Sequence, residues 1–302
     1  MRPDPMAPGH GRDPRDPEAG RIGREGSPPS AVDGRGPAEM DGHRLTLPLD
    51  GITWSYLEGG TGDTVVFLHG AVSLGQVWTG AFPRLAARHR VILPDLPGFG
   101  DSEANPPLET LADVIAALDP FLDAVAPSPF TLVGNSLGGT LATLWTRSHP
   151  QRLRGLVLVA PAGLSGGAEA SGPAAAGSLR EMNSRLFSDV GRARGNLPHF
   201  SVPQARMRWA RARSTTRRWL RRGIPPISLE DLQVPIRVIW GTEDRILPYA
   251  EVLRAMEGLP GGTLVPLADC GHLPQWDCPE AFVAAVEDFL RGSAPPRGVP
   301  RP

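Results

Sequence analysis

The sequence predicts an α/β fold with a mostly parallel central sheet and helices on both of its faces. Two observations carry that expectation. Short apolar runs of strand length alternate with helix-length amphipathic segments from residue 64 to residue 290, and strands that alternate with helices pair in parallel and are covered on both sides. One junction, residues 130–140, reads Phe-Thr-Leu-Val-Gly-Asn-Ser-Leu-Gly-Gly-Thr, an apolar strand entering a Gly-x-Ser-x-Gly turn and then a helix. A serine on so sharp a turn is forced towards positive φ. Its neighbours two residues away, Gly134 and Gly138, must be nearly free of side chain for the helix to fold back over the strand.

Length and composition narrow the classes. The 302 residues are 40% apolar, enough to bury a core, and the net charge of −1 gives no global field for nucleic acid. All 31 basic residues are arginine. Cys270 and Cys278 are the two cysteines; they are too few for a disulfide framework and lack the His/Cys clustering of a zinc site, so both are expected as free thiols and no metal is implied. Without an eighteen-residue apolar run or a signal-like start, the expectation is a soluble cytoplasmic protein with no membrane span.

Taken in order, residues 1–39 are rich in Gly, Pro and mixed charge and are expected to be a disordered tail. From His43 an alternating segment, Asp50-Gly51, and a second alternating segment read as an antiparallel hairpin. Residues 64–68 form a buried strand ending in His69-Gly70-Ala71. Helical residues 82–89 follow, and then a strand at 90–93 that ends in Pro-Asp-Leu-Pro-Gly-Phe-Gly-Asp-Ser. A helix over 108–125, the Ser136 turn with its helix over 137–148, and a strand over 156–159 continue the alternation. His69, Asp95 and Ser136 all follow strand ends, where chemistry belongs in such sheets.

The alternation stops between residues 163 and 226. Residues 163–177 are small and flexible in composition, and 178–222 read as helical and Arg-rich. It resumes with a strand over 236–240, a helix near 249–256, a strand over 263–267 and a helix over 279–290, before a polar tail from 292. An insertion between two sheet strands, after the turn that carries Ser136, is placed as a helical lid over the strand ends.

His-Gly after the third strand, Asp-Leu-Pro-Gly-Phe-Gly-Asp-Ser, Gly-Asn-Ser-Leu-Gly-Gly, Gly-Thr-Glu-Asp-Arg-Ile-Leu-Pro and Gly-His-Leu-Pro, in this order, resemble a capped α/β-hydrolase over about residues 45–290. The resemblance implies a core over 40–162 and 227–291 and a helical cap over 163–226, inserted after the sixth strand. It implies Ser136 as nucleophile, His272 as the base that takes its proton, and Asp244 as the acid that holds the imidazole, in the Ser, Asp, His chain order of this fold. Glu243 is the nearest rival to Asp244. The other position such enzymes use for the acid reads Ala160-Pro161-Ala162-Gly163, without a carboxylate. The amides of Leu137 and Ala71 are implied as the oxyanion hole. His69, Asp95, Asp101, Asp269 and Asp277 are expected to shape loops.

A serine at the turn excludes the relatives that use a carboxylate there, and acyl chemistry remains: hydrolysis of a small-molecule ester through an acyl-enzyme, without cofactor. Three alternatives stay open. They are hydrolysis of carbon–carbon bonds in vinylogous diketones, cofactor-free haloperoxidase or perhydrolase activity on the same triad, and a non-enzymatic binding protein of the same fold. The arginines from Arg206 to Arg222 read as a solvated helix face; the sharper reading is that they steer an anionic substrate towards the lid. No recognised nucleic-acid-binding module is present, and the oligomeric state is left open.

Overall fold

The computed structural model describes residues 42–71, 73, 75–126, 128–164, 179–191, 202–257 and 263–292. The expected tails and the flexible segment after residue 164 lie outside these. Within them, strands β1 (Gly42–Leu49), β2 (Ile52–Gly59), β3 (Thr64–Leu68), β4 (Arg90–Pro94), β5 (Glu103–Ala104), β6 (Phe130–Asn135), β7 (Leu153–Val159), β8 (Ile236–Gly241) and β9 (Leu264–Leu267) form one sheet. Its order is β1-β2-β4-β3-β6-β7-β8-β9, with β5 beside β2.

The first two strands form the hairpin expected from Asp50-Gly51. Leu49 pairs with Ile52, and the two turn residues have φ of 47° and 79°. That is the double-positive turn whose twist matches antiparallel strands. From β4 to β9 every pairing is parallel. Strands β3 and β6 are buried along their whole length, and β7 is buried at all but Arg154. Their continuous Val/Leu/Phe content is what a strand covered on both faces requires.

The helices are α1 (Phe82–Ala86), α2 (Leu111–Val125), α3 (Leu137–Ser148), α4 (Leu179–Leu186), α5 (Val202–Trp219), α6 (Tyr249–Ala255), α7 (Pro274–Asp277) and α8 (Pro279–Gly292). Against the sheet, α2 packs with α3 and α1 packs with α8. Helix α2 begins three residues later than its apolar pattern suggested. The Thr110 side chain accepts from Asp113 N, and the Asp113 carboxylate accepts from Thr110 N, a capping box that fixes the start.

Between β7 and β8 lies the insertion with α4 and α5. The two-residue β5 was not legible in the sequence; without it, the insertion follows the sixth strand, as expected. Ala212, Thr215, Thr216 and Trp219 bury one face of α5. Trp219 Nε1 donates to Leu108 O at 3.1 Å, Thr215 Oγ1 donates to Gly98 O at 3.2 Å, and the Trp219 ring stands 5.1 Å from Phe99. The insertion is thus anchored on the segment after β4.

The sheet also fixes where strand ends meet. Leu68 is in register with Gly134, and Asn135 with Val159. Strands β3 and β4 wind one way and β6 to β9 the other, so the β3–β6 boundary is the switch point of the sheet. Ligand crevices open beyond the carboxyl ends of strands at such points. Ser136 is the next residue after β6.

Candidate active site

Ser136 has φ of 51° and ψ of −120°, a conformation an L-residue adopts only under constraint. The constraint comes from the close approach of α3 to the sheet. A methyl group on Gly134 would lie 2.4 Å from Gly138 O, and one on Gly138 would lie 2.4 Å from Leu68 O. Both glycines are therefore required by backbone contact as well as by the turn. Ser136 N donates to Val159 O at 3.0 Å, and Ser136 O accepts from Gly139 N, Thr140 N and Ala162 N. The serine is held on all sides by backbone.

His272 and Asp244 meet beyond the same strand ends. His272 Nδ1 lies 2.7 Å from Asp244 Oδ2, and both residues are buried. The other carboxylate oxygen, Oδ1, accepts from Ile246 N and Leu247 N, each at 2.8 Å. A carboxylate with both oxygens engaged is fixed in orientation. With the Asp244 carboxylate ionised, Nδ1 must carry the proton, which leaves Nε2 as an acceptor. That Nε2 is buried and has no hydrogen-bond partner among the described residues. The Ser136 hydroxyl does not occupy it in this conformation; such bonds tighten when substrate binds.

The His272 loop is tied to its surroundings at four points. Asn135 Nδ2 donates to His272 O at 3.3 Å and to Val159 O at 3.0 Å, linking the residue before Ser136 to the histidine backbone. His272 N donates to Leu186 O at 2.9 Å, so the end of α4 joins the insertion to this loop. Asp277 Oδ2 accepts from Gly271 N and Ser188 N, each at 2.7 Å. Finally, Cys270 and Cys278 form a disulfide, with Cα atoms 6.0 Å apart. The expected free thiols are thereby corrected. Counting two cysteines carries no information about distance, and the short helix α7 between them folds the chain back so that the two meet.

The remaining expectations can be placed. Glu243 does not take the partner position at His272; Asp244 does. Gly70 lies against Ser136, since a methyl on it would stand 3.0 Å from Ser136 Cβ, and Leu137 follows the serine as the first residue of α3. His69 is fully buried: its Nδ1 is 2.9 Å from Gly70 O and its Nε2 accepts from Leu96 N at 2.9 Å. Burial pushes its pKa below the ordinary histidine value, against the pull of nearby Asp95. A neutral His69 fastens the Gly70 segment to the segment after β4.

Asp95 accepts from Gly75 N and Asp101 N and pairs with Arg44 at 3.1 Å, the work of a loop organiser. Asn135 was not singled out in the sequence; its only signal was its place beside Ser136. Among the described residues no cluster of His, Cys, Asp and Glu could hold a metal ion, and no helix is long and apolar enough to cross a membrane.

Several of the cap arginines face acidic residues of the core. Arg208 pairs with Asp101 at 2.7 Å, Arg211 with Glu103 at 3.7 Å, and Arg218 and Arg221 with Glu109. These four arginines thus face three carboxylates across the insertion boundary, so part of their charge is offset locally.

Comparison with known proteins agrees with this fold. Residues 65–285 match the alpha/beta hydrolase family. A pimeloyl-[acyl-carrier protein] methyl ester esterase of Aeromonas hydrophila subsp. hydrophila is 31% identical over 256 residues, which are 76% of this chain and 96% of that protein. A 2-hydroxy-6-oxo-6-phenylhexa-2,4-dienoate hydrolase of Burkholderia cepacia is 29% identical over 258 residues, covering 77% of this chain and 89% of that one. Among solved structures, a bacterial membrane phospholipase A superposes with a TM-score of 0.71 at 24% identity, over 84% of this chain and 87% of its own, a likeness of fold.

Proposed function

The chain belongs to the alpha/beta hydrolase family, and on that premise we propose that it is a serine hydrolase of small-molecule carboxylic esters. One observation carries the reading: a buried histidine whose Nδ1 is held 2.7 Å from a carboxylate and whose Nε2 is left without a partner, on a loop tied to the residue before a positive-φ serine.

Ser136 Oγ attacks the ester carbonyl carbon while His272 Nε2 takes its proton. The carbonyl oxygen becomes an oxyanion facing the amides of Leu137 and Ala71, and a well-placed donor is worth about 3 kcal/mol at that stage. The carbon–oxygen bond to the alcohol then breaks, and the alkoxide leaves with the proton from His272. Water attacks the acyl-enzyme, gives a proton to His272, and releases the carboxylic acid as Ser136 recovers its own. Asp244 keeps the imidazole in one tautomer and stabilises the imidazolium between the steps. The helical insertion serves as a lid, because it bonds both to the His272 loop and to the segment after β4.

A second reading is favoured by the Burkholderia cepacia relative, whose name records hydrolysis of a dienoate. The same serine, histidine and oxyanion site would then release a carbon acid in place of an alcohol. Initial rates on a series of short-, medium- and long-chain acyl esters, beside a 2-hydroxy-6-oxo-dienoate, decide between them. Turnover of the esters with an inert dienoate supports the ester reading, and the reverse pattern replaces it. The cytoplasmic setting expected from the sequence sits poorly with the Cys270–Cys278 bond, since reducing compartments keep thiols reduced.

A further inference from the structure

A cavity of about 260 Å³ lies between α5 and the segment after β4. Its lining includes neither Ser136 nor His272, and no carboxylate is among the described residues that line it. On the helix side stand Arg211, Ser214 and Arg218, at the i, i+3 and i+7 spacing that places them on one face. The floor is apolar, with Trp219, Leu108 and Pro107.

Arg211 Nη2 donates to Ser102 O at 2.8 Å, and the remaining donors of Arg211 and the guanidinium of Arg218 are open to a better acceptor. The carboxylates they face, Glu103 for Arg211 and Glu109 for Arg218, stand 3.7 Å away, beyond hydrogen-bonding distance, on side chains 73% and 55% exposed. Water screens pairs of that kind, so they hold the guanidiniums weakly. A carboxylate brought into the cavity could take up guanidinium donors directly and bury its apolar body against Trp219 and Leu108. Two arginines and a hydroxyl above an apolar floor are the few convergent polar groups that distinguish a ligand site from a packing gap. A purely structural salt-bridge seam would not need the open volume.

We propose that this cavity is a binding site for a small amphipathic monocarboxylate, separate from the Ser136 centre and independent of the acyl chemistry assigned to it. The charge at one end selects the carboxylate and the volume limits the body to a short aliphatic chain or one ring.

Titration calorimetry of the full chain with sodium hexanoate and with hexanamide tests this. Hexanoate should bind and hexanamide should bind at least about tenfold more weakly, since only the former can pair with guanidinium. Arg211→Gln and Arg218→Gln, each checked for an unchanged melting temperature, should weaken hexanoate binding by about tenfold or more, as loss of a charged hydrogen bond predicts. If either arginine variant fails to fold, Glu109→Gln supplies the readout: removing the competing exposed carboxylate should tighten hexanoate binding. Equal affinity for acid and amide, no hexanoate binding at millimolar concentration, binding indifferent to both arginines, or no tightening in Glu109→Gln would each overturn the proposal.

Discussion

His272 Nδ1 and Asp244 Oδ2 are 2.7 Å apart while Asp244 Oδ1 accepts two backbone amides, so one buried carboxylate is oriented by Ile246 and Leu247 and in turn orients the imidazole. The arrangement predicts a specific failure. In Asp244→Asn the amide oxygen would stay on the two backbone N–H groups, which turns the NH2 towards His272 Nδ1. The histidine would then carry its proton on Nε2 and could not take one from Ser136. Ester turnover should fall on the order of 10³- to 10⁴-fold with an unchanged melting temperature, the scale of loss when a triad histidine is held in the wrong tautomer. Near-parent activity would place the acid elsewhere.

Asp277 is read as a positioning residue for the loop that carries His272. Asp277→Ala strips the acceptor from two amides, Gly271 N and Ser188 N, each of which then costs roughly 1–3 kcal/mol if left unpaired. Melting temperature and kcat should both fall. Asp277→Asn should restore most of both, because a single amide oxygen can accept both bonds. Failure of Asn to rescue, beside a properly folded protein, would show that the negative charge itself matters.

The Cys270–Cys278 bond closes a short loop around His272. Reduction with a phosphine, or Cys278→Ser, should lower stability by roughly 2–3 kcal/mol, the chain-entropy figure for a loop of this length. Activity in the native range should fall much less, because Asp277 and Leu186 still hold the loop. An unchanged melting temperature under full reduction would remove the bond from the stability account.

His69 supplies a pH dependence of stability. Its pKa is lowered in the folded protein by burial, so below the ordinary histidine value near ~6.5 the unfolded chain binds a proton that the folded chain resists. Its contribution is complete above that pH and is lost as pH falls from there towards the folded pKa, at no more than about 1.4 kcal/mol per pH unit. His69→Gln can keep an acceptor near Leu96 N but does not titrate. The fall in unfolding free energy between pH 7 and pH 5 should be shallower in this variant than in the parent; parallel curves would contradict the assignment.

Much of this was legible in residue order because it depends on backbone geometry. Gly134, Ser136 and Gly138 announce the turn, since no larger residue fits beside Leu68 O and Gly138 O. Asp50-Gly51 announces the hairpin for the same kind of reason. What the sequence left out depends on side chains that meet across long separations. Asn135 reaching His272 O, Asp277 reaching Ser188 N, and Cys270 meeting Cys278 have no period or spacing to reveal them. The acidic partners of the arginine run, Asp101, Glu103 and Glu109, were equally out of sight, because they lie far upstream in the chain.

Everything proposed for the chemistry depends on Ser136 acting as an activated nucleophile. Incubation of the parent, Ser136→Ala and Asp244→Asn with a fluorophosphonate, followed by peptide mass spectrometry, measures it most directly. One phosphonate adduct on Ser136 is expected in the parent, none in Ser136→Ala, and slow labelling in Asp244→Asn. An unlabelled parent that is correctly folded, or an adduct on a different residue, would contradict it.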